Sequence, residues 1–327
     1  MNVIIAGENR YPLALDRILY DLVCSESLRK ADRIIVSTWD DQLFGPLTEK
    51  LVQTGSVELI LSPASTALES PAPVSFMRQA VLLEKATDHL NALAICNESY
   101  VLKLRPDLYG TDLRVFSYLV TYMFELSSTV GSSDLPVIWT CNLDPLEPFY
   151  ACDMLYCATL EAFTRVRPIP NCFDGLDIQL MAKRPALRIE AFFFSQMYNY
   201  VFEPEFLELL SQDYYRKLHN TPDFSQLLRI LVSESRSYRA TLRDWLQLVK
   251  SIKIGLFHDN LRHIFLLRRD NNHRPITSEA NHMDNLLSSL NLECLRLRQL
   301  VQTGWHVMHK QDSLDLFMSS FYPQLEA

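Results

Sequence analysis

The sequence predicts an α/β fold: a Rossmann-type, mainly parallel sheet flanked by helices, with a mostly helical C-terminal region. Three observations carry this prediction. Short apolar runs alternate with helical spacing through the first half, which is the pattern of βαβ units. Strand-like runs give out after about Glu203. Eight glycines in 327 residues are too few for a repetitive β architecture or a Gly-rich phosphate loop.

The elements follow in order. Val3 to Ala6 is an apolar run expected to be the first strand, and Leu15, Ile18, Leu19, Leu22 and Val23 share one face of the helix after it. Arg33 to Thr38 reads as a second strand ending in the polar loop Trp39-Asp-Asp-Gln42, and Val57 to Leu61 as a third. A loop rich in Pro, Ser and Ala runs on to Val74. Beyond it, Ala80, Leu83, Ala86, Leu90, Leu93 and Ala94 recur at helical steps. Tyr100 to Leu104 and Pro136 to Cys141 are two further buried strands. The boundary falls at residue 202: 1–202 form the nucleotide-binding α/β unit and 203–327 a helical region, with apolar spacing at Phe206, Leu209, Leu210, Leu227, Leu228, Ile230, Leu231, Leu242, Trp245, Leu246, Leu248 and Val249.

Composition narrows the function. Apolar residues make up 48% and charged residues 21% of the chain, the balance of a soluble globular protein. The net charge of −8 argues against nucleic acid as a partner. Met1 to Gly7 reads as a strand and not as a signal peptide, and no apolar stretch approaches the roughly 20 residues of a membrane span. Seven cysteines, an odd number without a CxxC pair, suit a reducing compartment. The expected location is therefore cytoplasmic, and the sequon Asn97-Glu-Ser99 incidental.

Ligands of parallel sheets bind beyond the carboxyl ends of the strands, so the loops after Ala6, Thr38 and Leu104 should lie together. The last of these is rich in charge: Lys103-Leu-Arg-Pro-Asp107. Lys103 and Arg105 point to one side of a strand, and Pro106 should end the ladder and leave Asp107 on the loop. Two cations and a carboxylate there could hold a diphosphate or share a hard divalent ion with it. The same residues could equally form a surface strand end with Arg105 paired to Asp107.

Ser37-Thr-Trp39, Met77-Arg-Gln79, Tyr100-Val-Leu-Lys-Leu-Arg-Pro-Asp107 and Cys152-Asp153 occur in this order. The series resembles the WavE family of lipopolysaccharide-synthesis proteins, regarded as glycosyltransferases of GT-A-like fold, over residues 1–210. The resemblance implies a GT-A-like nucleotide-sugar domain in which Lys103 and Arg105 neutralise the diphosphate. Arg78 and Gln79 would face the donor, with Gly7 and Trp39 in the same pocket. Asp107 would hold a divalent metal (Mn2+ or Mg2+) or the donor ribose, and Asp153 would bind the acceptor or act as general base. Two positions depart from the family: Pro106 replaces a small polar residue, and the first loop is Gly7-Glu-Asn-Arg10 instead of Gln-Gly-Pro. The partners implied are a nucleotide-sugar donor and a saccharide or lipid-linked acceptor. A catalytically degenerate module that binds partners in envelope polysaccharide assembly is the alternative.

Other motifs have plainer explanations. Asp40-Asp41 fits a turn or helix cap, and Asp174-Gly175 fits a turn, leaving Asp177 as a lesser candidate. His258 and His263 miss the spacing of a zinc helix; His306 and His309 lack further ligands, and Cys152 and Cys157 match no zinc pattern. The segment 250–269 sets Lys253, Arg262 and Arg268 among Ile254, Phe257, Leu261 and Phe265. It could touch an anionic membrane surface peripherally, though packing within the protein is the commoner fate of such a pattern.

Overall fold

Four apolar runs fully or partly removed from water build the parallel part of the sheet: β1 (Asn2–Ala6), β2 (Ile34–Trp39), β3 (Glu58–Ser62) and β4 (Tyr100–Leu104). In the computed structural model, residues 1–25, 28, 32–64, 75–110, 114, 116–121, 123, 138–140, 148–149, 155–167, 189–203, 205–206, 235–250, 254–256, 264–267 and 275–276 are described. β1 pairs in parallel with β2 on one side (Ile4 beside Ile35) and with β4 on the other (Ile4 beside Lys103). The expected alternation of strands and helices is present, and the fold is α/β with a mainly parallel sheet flanked by helices.

The first helix, α1 (Pro12–Val23), covers one face of this sheet. Its Leu15, Ile18, Leu19 and Leu22 form a core with Val3, Ile5, Val36, Leu102 and Leu104, while Val23 is exposed. The short α2 (Pro46–Gln53) packs on α1. The longer α3 (Ser75–Ala92) covers the other face and buries Ala80, Leu83, Ala86 and Leu90 against β1 and β2. It stops at Ala92, so Leu93 is partly exposed and Ala94 takes a left-handed conformation (φ 54°) instead of continuing the stripe. Ser37 ties β2 to α3 by donating from Oγ to the Leu82 carbonyl at 2.7 Å.

Two aspartates of α1 fix its neighbours. Asp16 accepts from the backbone N–H of Leu47 and of Thr48 (2.8 Å for the latter) and so caps α2, whose own N-cap, Gly45, has no side chain. Asp21 accepts from the N–H groups of Phe116 and Ser117, at the start of a helical stretch over 116–121. Both carboxylates are buried, and each meets orphan helix donors that water would otherwise have to satisfy.

Past β4 the sheet changes direction. The short β5 (Leu108–Gly110) leaves for a second sheet; β6 (Ile138–Thr140) and β7 (Leu155–Thr159) return to the first. β7 lies antiparallel to both β4 and β6, with Leu104 beside Leu155. After it come α4 (Leu160–Thr164), capped by the Thr159 hydroxyl, and α5 (Ile189–Met197), which packs on α4 and α3. The sequence reading found β6 within Pro136–Cys141 but did not find β7.

Beyond Glu203, α6 (Arg236–Lys250) bears out the helical spacing there, with Leu242, Trp245 and Leu246 buried. The expectation of no strands in this region is corrected: β8 (Ile254–Leu256), β9 (Ile264–Leu267) and β10 (Pro275–Ile276) follow. β8 pairs in parallel with β6 and completes a seven-stranded sheet in the order β3-β2-β1-β4-β7-β6-β8. β9 pairs antiparallel with β5 and β10 in a three-stranded sheet. Strand backbone at 254–256 and 264–267 replaces the helical reading of those parts of the 250–269 segment. Their register is set by partners far away in sequence, which helical periodicity cannot register. Among the described residues, no helix is long and apolar enough to cross a membrane.

Phe149, buried with φ 60°, joins the halves through its ring, which lies 4.3 Å from Tyr200, 5.7 Å from Phe202 and 5.3 Å from Trp245, centroid to centroid. Such tilted and edge-on aromatic contacts add to the burial they accompany.

Candidate active site

β1 is where the strand order reverses: the chain goes from it to β2 on one side and later to β4 on the other. A crevice opens at the carboxyl ends of strands at such a point. The cleft found there encloses about 340 Å³ including its open mouth, and is lined by Gly7, Glu8, Arg10, Trp39, Gln79, Leu82, Arg105, Pro106 and Asp107. Each segment is delivered by one element: 7–10 by β1, Trp39 by β2, Gln79 and Leu82 by α3, and 105–107 by β4.

Gly7 allows the first loop to pass close to the last. Its φ is +149°, and a Cβ there would stand 2.9 Å from Pro106 Cδ. Proline therefore fills the space a side chain at position 7 would need. The contact also accounts for Pro106, where the family resemblance leads one to expect a small polar residue.

Arg105 and Asp107 form a two-pronged pair, with Arg105 Nε donating to Asp107 Oδ1 at 2.9 Å and Nη2 to Oδ2 at 2.8 Å. The pairing matches the plainer sequence reading, but the location does not. Asp107 is 5% exposed, and the pair forms part of the cleft wall instead of an open surface. Out of water such a fork is stiff, and it fixes the plane of the guanidinium. Arg10 and Glu8 also pair in the cleft lining, but there both Arg10 Nε (2.8 Å) and Nη2 donate to the single oxygen Glu8 Oε2, in a more exposed setting.

Lys103 lies two residues back along β4, about 7 Å deeper at strand spacing. It is 1% exposed and donates from Nζ to Gln79 Oε1 at 2.9 Å, with its ammonium 5.3 Å from the centre of the Tyr156 ring. An oxygen acceptor and an aromatic face offset the cost of burying that charge. Lys103 thus sits behind Gln79 and does not line the cleft.

Of the residues singled out from sequence, Gly7, Trp39, Gln79, Arg105 and Asp107 meet at the cleft. Trp39 ends β2 as a buried ring on the cleft wall. Arg78 is in the first turns of α3. Asp153 lies outside the described residues, as do Asp174, Asp177, Cys152, His258, His263, His306 and His309. Asp40 lies in a turn after β2, as one of its two plainer readings had it, and accepts from the Ala64 N–H at 2.9 Å. Glu8 and Arg10 were missed, although their place directly after β1 was a signal: the loop following a first parallel strand is a usual ligand contact.

The described residues do not by themselves make a metal centre. A hard divalent ion takes about six oxygens, and no group of three or more His, Cys, Asp or Glu is placed to hold one. Asp107 already gives both oxygens to Arg105, and Glu8 is paired with Arg10.

No family model matches the chain, and no curated protein matches it. Among solved structures it is similar to the galactosyltransferase LgtC in complex with donor and acceptor sugar analogues (TM-score 0.38, 11% identity, over 74% of this chain and 100% of that one). An active-site mutant of LgtC aligns with a TM-score of 0.40 at 11% identity, over 89% and 97% of the two chains. Mouse xyloside xylosyltransferase 1 in its apo form aligns at 0.31 and 11%, over 60% and 81%. Likeness at these scores carries no argument about family or activity.

Proposed function

We propose that the protein is a glycosyltransferase that takes a sugar from a nucleotide-diphosphate donor. One observation carries the reading. A rigid Arg105–Asp107 fork and a second arginine, Arg10, face one cleft at the reversal point of a parallel sheet, beside an indole and an amide. An anion that enters meets guanidinium donors already oriented, which is the requirement for stabilising a diphosphate as it leaves. Asp107 orients Arg105, and Trp39 offers an apolar wall to a base or sugar.

The WavE resemblance extends the proposal to the acceptor, a bacterial surface polysaccharide or its lipid-linked precursor. Asp153 is the proposed group that takes the acceptor's proton. That role draws support from the register of β7, whose first residue, Leu155, pairs with Leu104 at the cleft edge. No step is assigned to a metal ion.

Asp107→Ala should nearly abolish sugar transfer while the thermal melt stays cooperative; full activity in that variant would sink the assignment. The wild-type melt should also rise with one member of a panel of nucleoside diphosphates. A flat response to all of them at millimolar concentration would point instead to a transferase-like module without catalysis.

A further inference from the structure

Gln79 is an amide with two different ends, and Lys103 decides which of them meets the cleft. An ammonium has hydrogens to give and no lone pair to accept. The Gln79 atom 2.9 Å from Lys103 Nζ must therefore be the carbonyl oxygen, which settles an orientation that is otherwise ambiguous for glutamine. The amide NH2 is then the remaining polar end of a side chain that lines the cleft, and it makes no hydrogen bond among the described residues. We infer that Lys103 is a positioning residue: it pins Gln79 so that a third donor, beside Arg105 and Arg10, is presented to the anionic ligand.

The inference rests on the reading of the cleft as a nucleoside-diphosphate site. It gives Lys103 a different part from that of a direct phosphate ligand. The lysine is 1% exposed and is screened from the cleft by the side chain it holds. Its neighbours on the same sheet face, Ser37 on β2 and Tyr156 on β7, are also buried, so a bound anion would reach the amide before the ammonium. A neutral donor held in one orientation favours an anion without adding a competing cation. It also disfavours any ligand that would place a hydrogen-bond donor there.

The test compares affinities for UDP, GDP, CDP and ADP, and for the matching nucleosides, across wild type, Lys103→Met, Gln79→Leu and the double variant. Wild type should bind at least one diphosphate. Lys103→Met should weaken that diphosphate by about tenfold, the loss typical of one hydrogen bond to a charged group, and leave the nucleoside unchanged. In the Gln79→Leu background, where a side chain of similar size still covers Lys103, the same change should cost less than about twofold, because Lys103 then has no amide to orient. An undiminished tenfold loss in that background would show that Lys103 acts on the phosphate directly and would overturn the inference alone. If wild type binds none of the four diphosphates, the site reading and the inference fall together. Should Lys103→Met fail to fold, Gln79→Glu replaces it. That variant keeps an oxygen for Lys103 but turns a carboxylate oxygen toward the ligand, and it should lose at least tenfold in diphosphate affinity with the nucleoside unaffected. Unchanged diphosphate affinity in Gln79→Glu would overturn the inference.

Discussion

At the scale of single residues, the cleft depends on one position without a side chain. Gly7 has a φ that other residues rarely adopt, and Pro106 occupies the place of its missing Cβ. Gly7→Ala should therefore cost about 1–3 kcal/mol in stability from backbone strain. Part of this could be relieved by pushing 105–107 outward, which would misplace the arginine fork. Denaturant unfolding should show the loss of stability, and calorimetry with the preferred nucleoside diphosphate should show weaker binding. A variant as stable and as tight as wild type would mean that the loop can move aside without cost.

The sequence made most of this site legible through charge. Arg105 and Asp107 stood out because charges beside a buried strand must have partners. Gln79 was found only through the family resemblance, whereas Trp39 also stood out as an aromatic at a strand end. The layering was not legible: alternation places Lys103 and Arg105 on one side of a strand but does not say that two residues of depth put Lys103 behind α3. Glu8 and Arg10 stood only as part of a first loop, Gly7-Glu-Asn-Arg10, that departs from the family's pattern.

At the scale of elements, helices are joined to one another by buried carboxylates. Asp16 supplies the cap that Gly45 lacks, and a Cβ at Gly45 would collide with it, 2.2 Å from Oδ2. Asp16→Ala should destabilise the protein by about 1–2 kcal/mol, toward the upper end for a lost N-cap, with backbone N–H groups left short of a partner. Hydrogen exchange should speed up first at Leu47 and Thr48, and unchanged exchange there would refute the capping role. Such a cap reaches across 31 residues in sequence and cannot be recognised from local pattern. β1, β2 and β4 were the easier elements to read, because burial on both faces gives continuous apolar runs. β7 contains Tyr, Cys, Ala and Thr and carries no such signature, while β8 to β10 are two to four residues long.

At the scale of the molecule, electrostatics outside the cleft should shape the pH dependence of stability. The Glu84 carboxyl on α3 is held above its ordinary range, chiefly by burial, with Arg167 at 3.9 Å opposing the shift. A carboxyl whose folded-state value exceeds its unfolded one favours folding while protonated. That contribution is complete below the ordinary carboxyl range and is lost as pH climbs through the raised value. Glu84→Gln should thus match wild type near pH 4 and be the more stable near pH 7 by urea unfolding. The opposite order at neutral pH would mean that the pairing with Arg167 outweighs burial.

The pairing of β8 with β6 also bears on how the chain reaches its native state. Ile254 lies beside Ile138, more than a hundred residues earlier, and Leu266 of β9 lies beside Leu108. Both sheets therefore close late, by contacts of long sequence separation, and such contacts slow folding. While the chain is being made, β6 and β5 must wait with open edges until the segments after α6 emerge. An unfinished sheet in that interval is a template for strands of other molecules. Pairing with β8 and β9 covers these edges of β6 and β5 once those segments have been made.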